Sequence, residues 1–238
     1  MKRLVSLLIF FAISSSFGSC IFIGPSVKGN GHVVKETRNL TGFKSIKAST
    51  GLDVFLIQDS MDQVVVEADE NLLQIIDTQL KGTVLEIYTN QPIRWSKSKK
   101  VYVHFSSLEG VKSSSGSVVR SQSEIVAGQF ELSASSGSQQ YIGLNCEKLV
   151  GRSSSGAQVH LSGKSKKSDL KASSGSHMKA EDLVCEESVA DVSSGAHIWI
   201  RVNREFSGEA SSGGHIYYFG APERVTVNTS SGGNIVNR

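Results

Sequence analysis

A Ser-Ser-Gly tripeptide recurs seven times in the second half of this chain, and its spacing leaves few folds open. The copies read Lys112-Ser-Ser-Ser-Gly116, Ser133-Ala-Ser-Ser-Gly137, Arg152-Ser-Ser-Ser-Gly156, Lys171-Ala-Ser-Ser-Gly175, Asp191-Val-Ser-Ser-Gly195, Glu209-Ala-Ser-Ser-Gly213 and Asn228-Thr-Ser-Ser-Gly232. Successive glycines lie 21, 19, 19, 20, 18 and 19 residues apart. A steady period near twenty marks a solenoid, one coil per repeat. The copies lack a Leu-rich framework and helix-forming stretches, and show strand-like alternation instead.

That alternation defines columns. Three residues after each Gly come Val119, Gln140, Val159, Met178, Ile198, Ile216 and Ile235, and five after come Ser121, Ile142, Leu161, Ala180, Ile200, Tyr218 and Asn237. Side chains two apart on a strand share a face, so both columns turn inward. Five before the Gly stand Val111, Leu132, Gly151, Leu170, Ala190, Gly208 and Val227, a smaller-residue wall. The chain therefore reads as all-β, a parallel β-helix of about 20 residues per coil. The glycines provide the tight backbone of its corners, and stacked serines satisfy one another and nearby backbone.

Ala48-Ser49-Thr50-Gly51 reads as a degenerate eighth copy, with Val54 and Leu56 inward. The 65 residues from Gly51 to Gly116 leave room for about three further coils. Strand-like runs there are Gln63–Ala68, Val84–Thr89 and Lys100–Phe105. Leu72, Leu73, Ile75 and Ile76 sit at helical spacing, which predicts a short helix over 71–79 that covers a coil edge.

Met1, Lys2 and Arg3 precede an apolar run from Leu4 to Ile13 and a serine cluster, the order of a secretory signal. About ten apolar residues are too few to span a bilayer that needs roughly twenty. Phe17-Gly18-Ser19-Cys20 resembles a bacterial lipoprotein signal, which implies acylation of Cys20 after removal of residues 1–19. Residues 20–32 then read as a tether and 33–238 as one domain, irregular over 33–110 and regular over 111–238. Without Lys2 and Arg3, 23 basic residues face 22 acidic ones, which offers no electrostatic case for nucleic acid. Lys97, Lys99 and Lys100 read as a solvated turn.

Taken together, the lipoprotein-like start, the Phe43–Ile46 to Gly51–Val54 opening, the Val64–Ala68 and Val84–Tyr88 strands and the Ser-Ser-Gly series resemble the auto-transporter adhesin, head GIN domain family, over roughly Val33 to Asn237. The resemblance implies a right-handed parallel β-helix in the envelope of a Gram-negative bacterium. The expected role is a non-catalytic, adhesin-like lipoprotein of the outer membrane that binds glycan or protein. Its rivals are a polysaccharide-processing β-helix enzyme and a scaffold that assembles through its coil ends.

Motifs for catalysis are scarce. There is no phosphate-binding Gly loop, Gly-x-Ser-x-Gly elbow, His-Glu-x-x-His or Cys-x-x-Cys, and no cofactor is expected. His177, His197 and His215 share a column two after the Gly, where neighbouring imidazoles suit Zn²⁺ or Cu²⁺, although a polar ladder is the plainer reading. Asp191 and Glu209 are adjacent in another column and represent the carboxylate pair of a glycosidase, or a charged ladder in which Lys171 offsets Asp191. Trp199 and Tyr217 share the column four after the Gly and stack outward as candidate ligand contacts, or as a pair that shields the strands. Cys146 and Cys185 occupy one angular position two coils apart, with Ser165 between them. Two ladder steps are about 9.6 Å, beyond the roughly 7 Å Cα separation a disulfide accepts. Both thiols are expected to stay free.

Overall fold

The computed structural model describes residues 25–238; the proposed signal and Cys20 lie outside the described residues. The chain forms an all-β parallel solenoid in which single long strands make most of each coil: Gln139–Ser153, Gln158–Ala172, His177–Val192 and His197–Ala210. Each pairs in parallel with the next. The inward column is as the repeat dictates, Val54, Val119, Gln140, Val159, Met178, Ile198, Ile216 and Ile235 lying in register. The first seven of these side chains are buried. Gln140 survives in that apolar column because its amide donates to Ser113 Oγ and the Ser133 carbonyl, both at 2.9 Å.

Each corner is a four-residue turn whose two central residues are both left-handed. In the third corner Ser155 has φ +50° and Gly156 φ +69°, and Ala157 N–H donates to the Ser154 carbonyl at 3.0 Å. This is the primed turn that matches strand twist and wants Gly at its second central position. The ladder runs through it, with Gly156 N–H donating to Ser174 O of the next coil at 3.1 Å. Thr50 at φ +60° and Gly51 at φ +71° make the eighth corner.

A second bend needs no glycine. Burial alternates along each long strand until two successive residues face out: Glu147-Lys148, Lys166-Lys167 and Asn203-Arg204. Lys166 pairs with Glu147 at 2.7 Å, Lys167 with Glu187 at 2.9 Å and Arg224 with Glu205 at 2.7 Å, so charges of opposite sign step along this edge. Just before it lie the cysteines. Cys146 is in register with Ser165, and Ser165 with Cys185. Both thiols are free and buried, and burial pushes that of Cys185 up to about 11.

The first third departs from the sequence expectation. Ser45–Ala48 and Asp53–Gln58 lie against Gly110–Ser113 and Val118–Ser121 on one side. On the other they meet Val84–Thr89 and Lys99–Phe105. The coil built from residues 84–105 therefore sits beyond the one that precedes it in sequence. Antiparallel strands then close the end: Ile76–Lys81 on Val84–Thr89, Gln63–Asp69 on Lys99–Phe105, and Val33–Arg38 on Gln63–Asp69. The 65 residues make one parallel coil and a cap, not three coils. The expected helix over 71–79 is only a 3-10 turn at Glu70–Leu72, because Ile76 onward pairs as a strand. Antiparallel pairing satisfies the coil edge that a helix would merely have shaded. Arg38 joins the cap halves, donating to the Ile76 and Leu73 carbonyls at 2.6 and 2.9 Å. Part of the expected tether is also fixed, since Val27–Lys28 pairs with Ile93–Trp95.

Candidate functional site

The outward face after the corners carries two side-chain columns, because residues two and four after each Gly project from the same side of the strand. The outer column is a continuous stack of rings and cations. From the cap it begins with Lys35 over Tyr102, at 5.8 Å, and Tyr102 against Phe55, at 5.1 Å between centroids. Arg120 follows in register with Phe55 and lies 3.9 Å over Tyr141, which stacks on His160 at 4.8 Å. Lys179 follows His160 and lies 6.0 Å over Trp199. Trp199 stacks on Tyr217 at 5.4 Å, and Arg238 covers Tyr217 at 4.4 Å. Ring pairs of this kind contribute about 0.5–1.5 kcal/mol each beyond burial, and exposed cation–π contacts about 0.5–1 kcal/mol. The column thus stiffens the face.

Trp199 and Tyr217 are adjacent in this stack, but its other eight members were not singled out from sequence: Lys35, Tyr102, Phe55, Arg120, Tyr141, His160, Lys179 and Arg238. The alternation of cation and ring four residues after each Gly was the available signal. Because neighbours cover the ring faces, the column presents ring edges and polar tips to solvent.

The inner column brings His177, His197 and His215 together, as the repeat requires, with centroids 5.1 and 5.0 Å apart. Their planes differ by 9° and 19°, so the rings stack instead of turning nitrogens toward one point. Among the described residues, no three His, Cys, Asp or Glu side chains are grouped to hold a metal ion. Burial, then the charges of His177 and His215, holds His197 below its ordinary pKa. The unfolded chain therefore binds the His197 proton more readily, and stability falls as pH drops below the ordinary histidine value of about 6.5. Thermal midpoints measured from pH 7.5 to 5 will decline, and His197→Gln will flatten that decline; an unchanged slope would contradict it.

A groove of about 430 Å³ opens beside the middle of the outer column, lined by Gln122, Glu124, Tyr141, His160, Lys179, Glu181 and Asp182. The coils of His160 and Lys179 shift register at this groove, between His160 and Ser162, and such bulges re-aim side chains. Burial, then the charge of Lys179, lowers the pKa of His160. Elsewhere, Asp191 and Glu209 are in register, but Asp191 pairs with Lys171 at 3.3 Å, on a column before the corner and apart from the rings.

The fold and this face define a rigid solenoid with one ordered, ring-lined surface. A family model described as "Putative auto-transporter adhesin, head GIN domain" matches residues 42–222, and the chain belongs to that family. No curated protein matches it. Solved structures share the fold. A "putative adhesin" from Bacteroides fragilis is 17% identical, with TM-score 0.83, over 90% of this chain and 100% of that one. A "putative adhesin" from Parabacteroides distasonis is 17% identical, with TM-score 0.74 over the same shares. A "putative lipid binding protein" from the same species is 16% identical, with TM-score 0.67, over 89% and 100%.

Proposed function

We propose that the chain is a non-catalytic, adhesin-like binding module, exported and held at the Gram-negative outer membrane by a lipid on Cys20. The observation that carries this reading is the outer column, which keeps an ordered row of rings and cations on a scaffold that need not reorganise to bind. The groove at Tyr141, His160 and Lys179 opens beside that row and offers carboxylates, an amide and an ammonium to a hydroxyl-rich ligand. A glycan is the ligand class that fits, held by hydrogen bonds from ring edges and groove side chains and not by stacking on covered ring faces. Family membership supports an adhesin-like role. Assembly through the coil ends is the second reading, favoured by Val225 and Val227, which are 44% and 49% exposed on the last coil.

A glycan array tests the first reading. The protein is expected to bind a subset of glycans, and Lys179→Ala with Glu181→Gln to weaken that binding at least about tenfold, since two hydrogen bonds to charged groups are lost. Turnover of a bound glycan, or binding indifferent to both changes, would overturn it. Concentration-dependent assembly with no glycan bound would favour the second.

A further inference from the structure

The corner beyond Thr50-Gly51 is not a Ser-Ser-Gly turn but the longer segment from Asn90 to Ser98, between strands Val84–Thr89 and Lys99–Phe105. The short strand Val27–Lys28 docks on it in parallel with Ile93–Trp95. Val27 N–H donates to the Pro92 carbonyl and Gly29 N–H to the Trp95 carbonyl, both at 2.8 Å. Val27 and Ile93 pack against the core, while Lys28, Arg94, Trp95 and Lys97 are exposed. Trp95 is 50% exposed and lies in register with Lys28.

Lys28, Arg94, Lys97 and Lys99 form no ion pair with the carboxylates of the described residues. Asp69 lies beneath, but it is fully buried and receives backbone N–H groups. Glu70 is turned to His32 at 3.2 Å. The ribbon therefore presents an indole and a group of cations without ion-pair partners on backbone already held in place, although the charge of Lys97 also acts on the buried Asp69 carboxylate.

An indole beside Lys and Arg is the composition of a bilayer interface, where the ring sits at headgroup level and the ammonium reaches the phosphates. Anionic headgroups complement the charge. The ribbon is also where the chain enters the domain. Six residues lie between Cys20 and Val27, so the two are at most about 25 Å apart along an extended chain. We propose that this ribbon is a membrane-facing patch that seats on an anionic phospholipid bilayer, with Trp95 at headgroup depth and Lys28, Arg94 and Lys97 at the phosphates. The capped end then rests on the membrane, and the later coils with Trp199 and Tyr217 project away from it. The patch is made of described residues and does not depend on what the ring-lined face binds; only its nearness to a lipid on Cys20 rests on the function proposed above.

Residues 25–238 carry the described strands, the core and the cap, so they serve as a test protein in which neither leader nor lipid contributes. The chain has two tryptophans, and Trp199→Phe leaves Trp95 as the sole indole reporter. With phosphatidylglycerol vesicles, the expected result is co-sedimentation and a blue shift of Trp95 emission, both fading at high salt. Phosphatidylcholine vesicles should give neither. Neutralising Lys28, Arg94 and Lys97 to Gln should weaken binding roughly a hundredfold, each charge contributing a factor of roughly five near the surface. Trp95→Ser should lower partitioning with the circular dichroism unchanged. Absence of binding, equal binding to both lipids, or binding indifferent to these substitutions would overturn the proposal.

Discussion

Alanine at Gly163 is expected to lower the thermal midpoint far more than alanine at Gly195, although only Gly195 belongs to the repeat. Gly163 has φ +103°, and a Cβ there would overlap the carbonyl oxygen of Leu144, its partner on the neighbouring coil. Backbone cannot yield as a flexible side chain does, so the coils must separate locally. The expected cost is about 3–5 kcal/mol, in the upper range of single substitutions. At Gly195 the φ is +67°, yet an added Cβ meets no atom within 4 Å. Ser194 beside it already holds φ +51°, so the cost there is the left-handed penalty alone, about 1–2 kcal/mol. For a domain of this size the shifts are about 10 °C against about 4 °C. Calorimetry of the two variants checks this, and equal shifts would reject the close approach of Leu144 and Gly163.

That contrast shows which glycine requirements the sequence exposes. Corner glycines repeat, so a period reveals them. Gly163 and Gly220 face a neighbouring coil's backbone once each, and no local pattern distinguishes them from glycines that merely turn. The repeat was equally explicit about the inward columns and the separation of Cys146 from Cys185, because side-chain direction alternates and coils add in sequence order. It was silent about the cap. There the coil of residues 84–105 lies outside the coil of residues 45–58, and only long-range pairing decides such an order. Leu72, Ile75 and Ile76 have helical spacing but are equally served by a turn entering a strand, and short apolar runs do not separate the two.

The ring-lined face was half legible for the same reason. Trp199 and Tyr217 fall in consecutive coils, so register alone unites them. Phe55 stands four after Gly51, at the offset of the degenerate copy, whereas Tyr102 joins the column through the out-of-order coil and so escaped the repeat. Whether the three histidines stack or converge is a matter of ring orientation, which spacing does not convey. Three imidazoles in one column stack more readily than they converge, since each ring plane follows its neighbour along the ladder.

The cap depends on one buried carboxylate, and its removal is the second large effect expected. Asp69 is fully buried. Its oxygens accept from the backbone N–H of Ser98 at 3.0 Å, Lys97 at 3.0 Å and Gly31 at 2.8 Å. A Cβ at Gly29 would overlap that carboxylate, so the chain entering the domain is packed directly on it. Burial pushes the Asp69 pKa up, but the three N–H donors outweigh it and hold the group below its ordinary value. Asp69→Ala strands those donors, each costing about 1–3 kcal/mol where water cannot replace the acceptor. The expected loss is about 3–5 kcal/mol by urea unfolding at pH 7, with early proteolysis near Asn30 as the Val27–Lys28 strand is released. Because the folded pKa is depressed, the contribution is complete above the unfolded value near 3.9 and disappears as pH falls through the folded value. Wild type and Asp69→Ala should therefore differ most at pH 7 and converge below about pH 4. A stability gap that persists undiminished in acid would show that the cap is held by packing and not by this carboxylate.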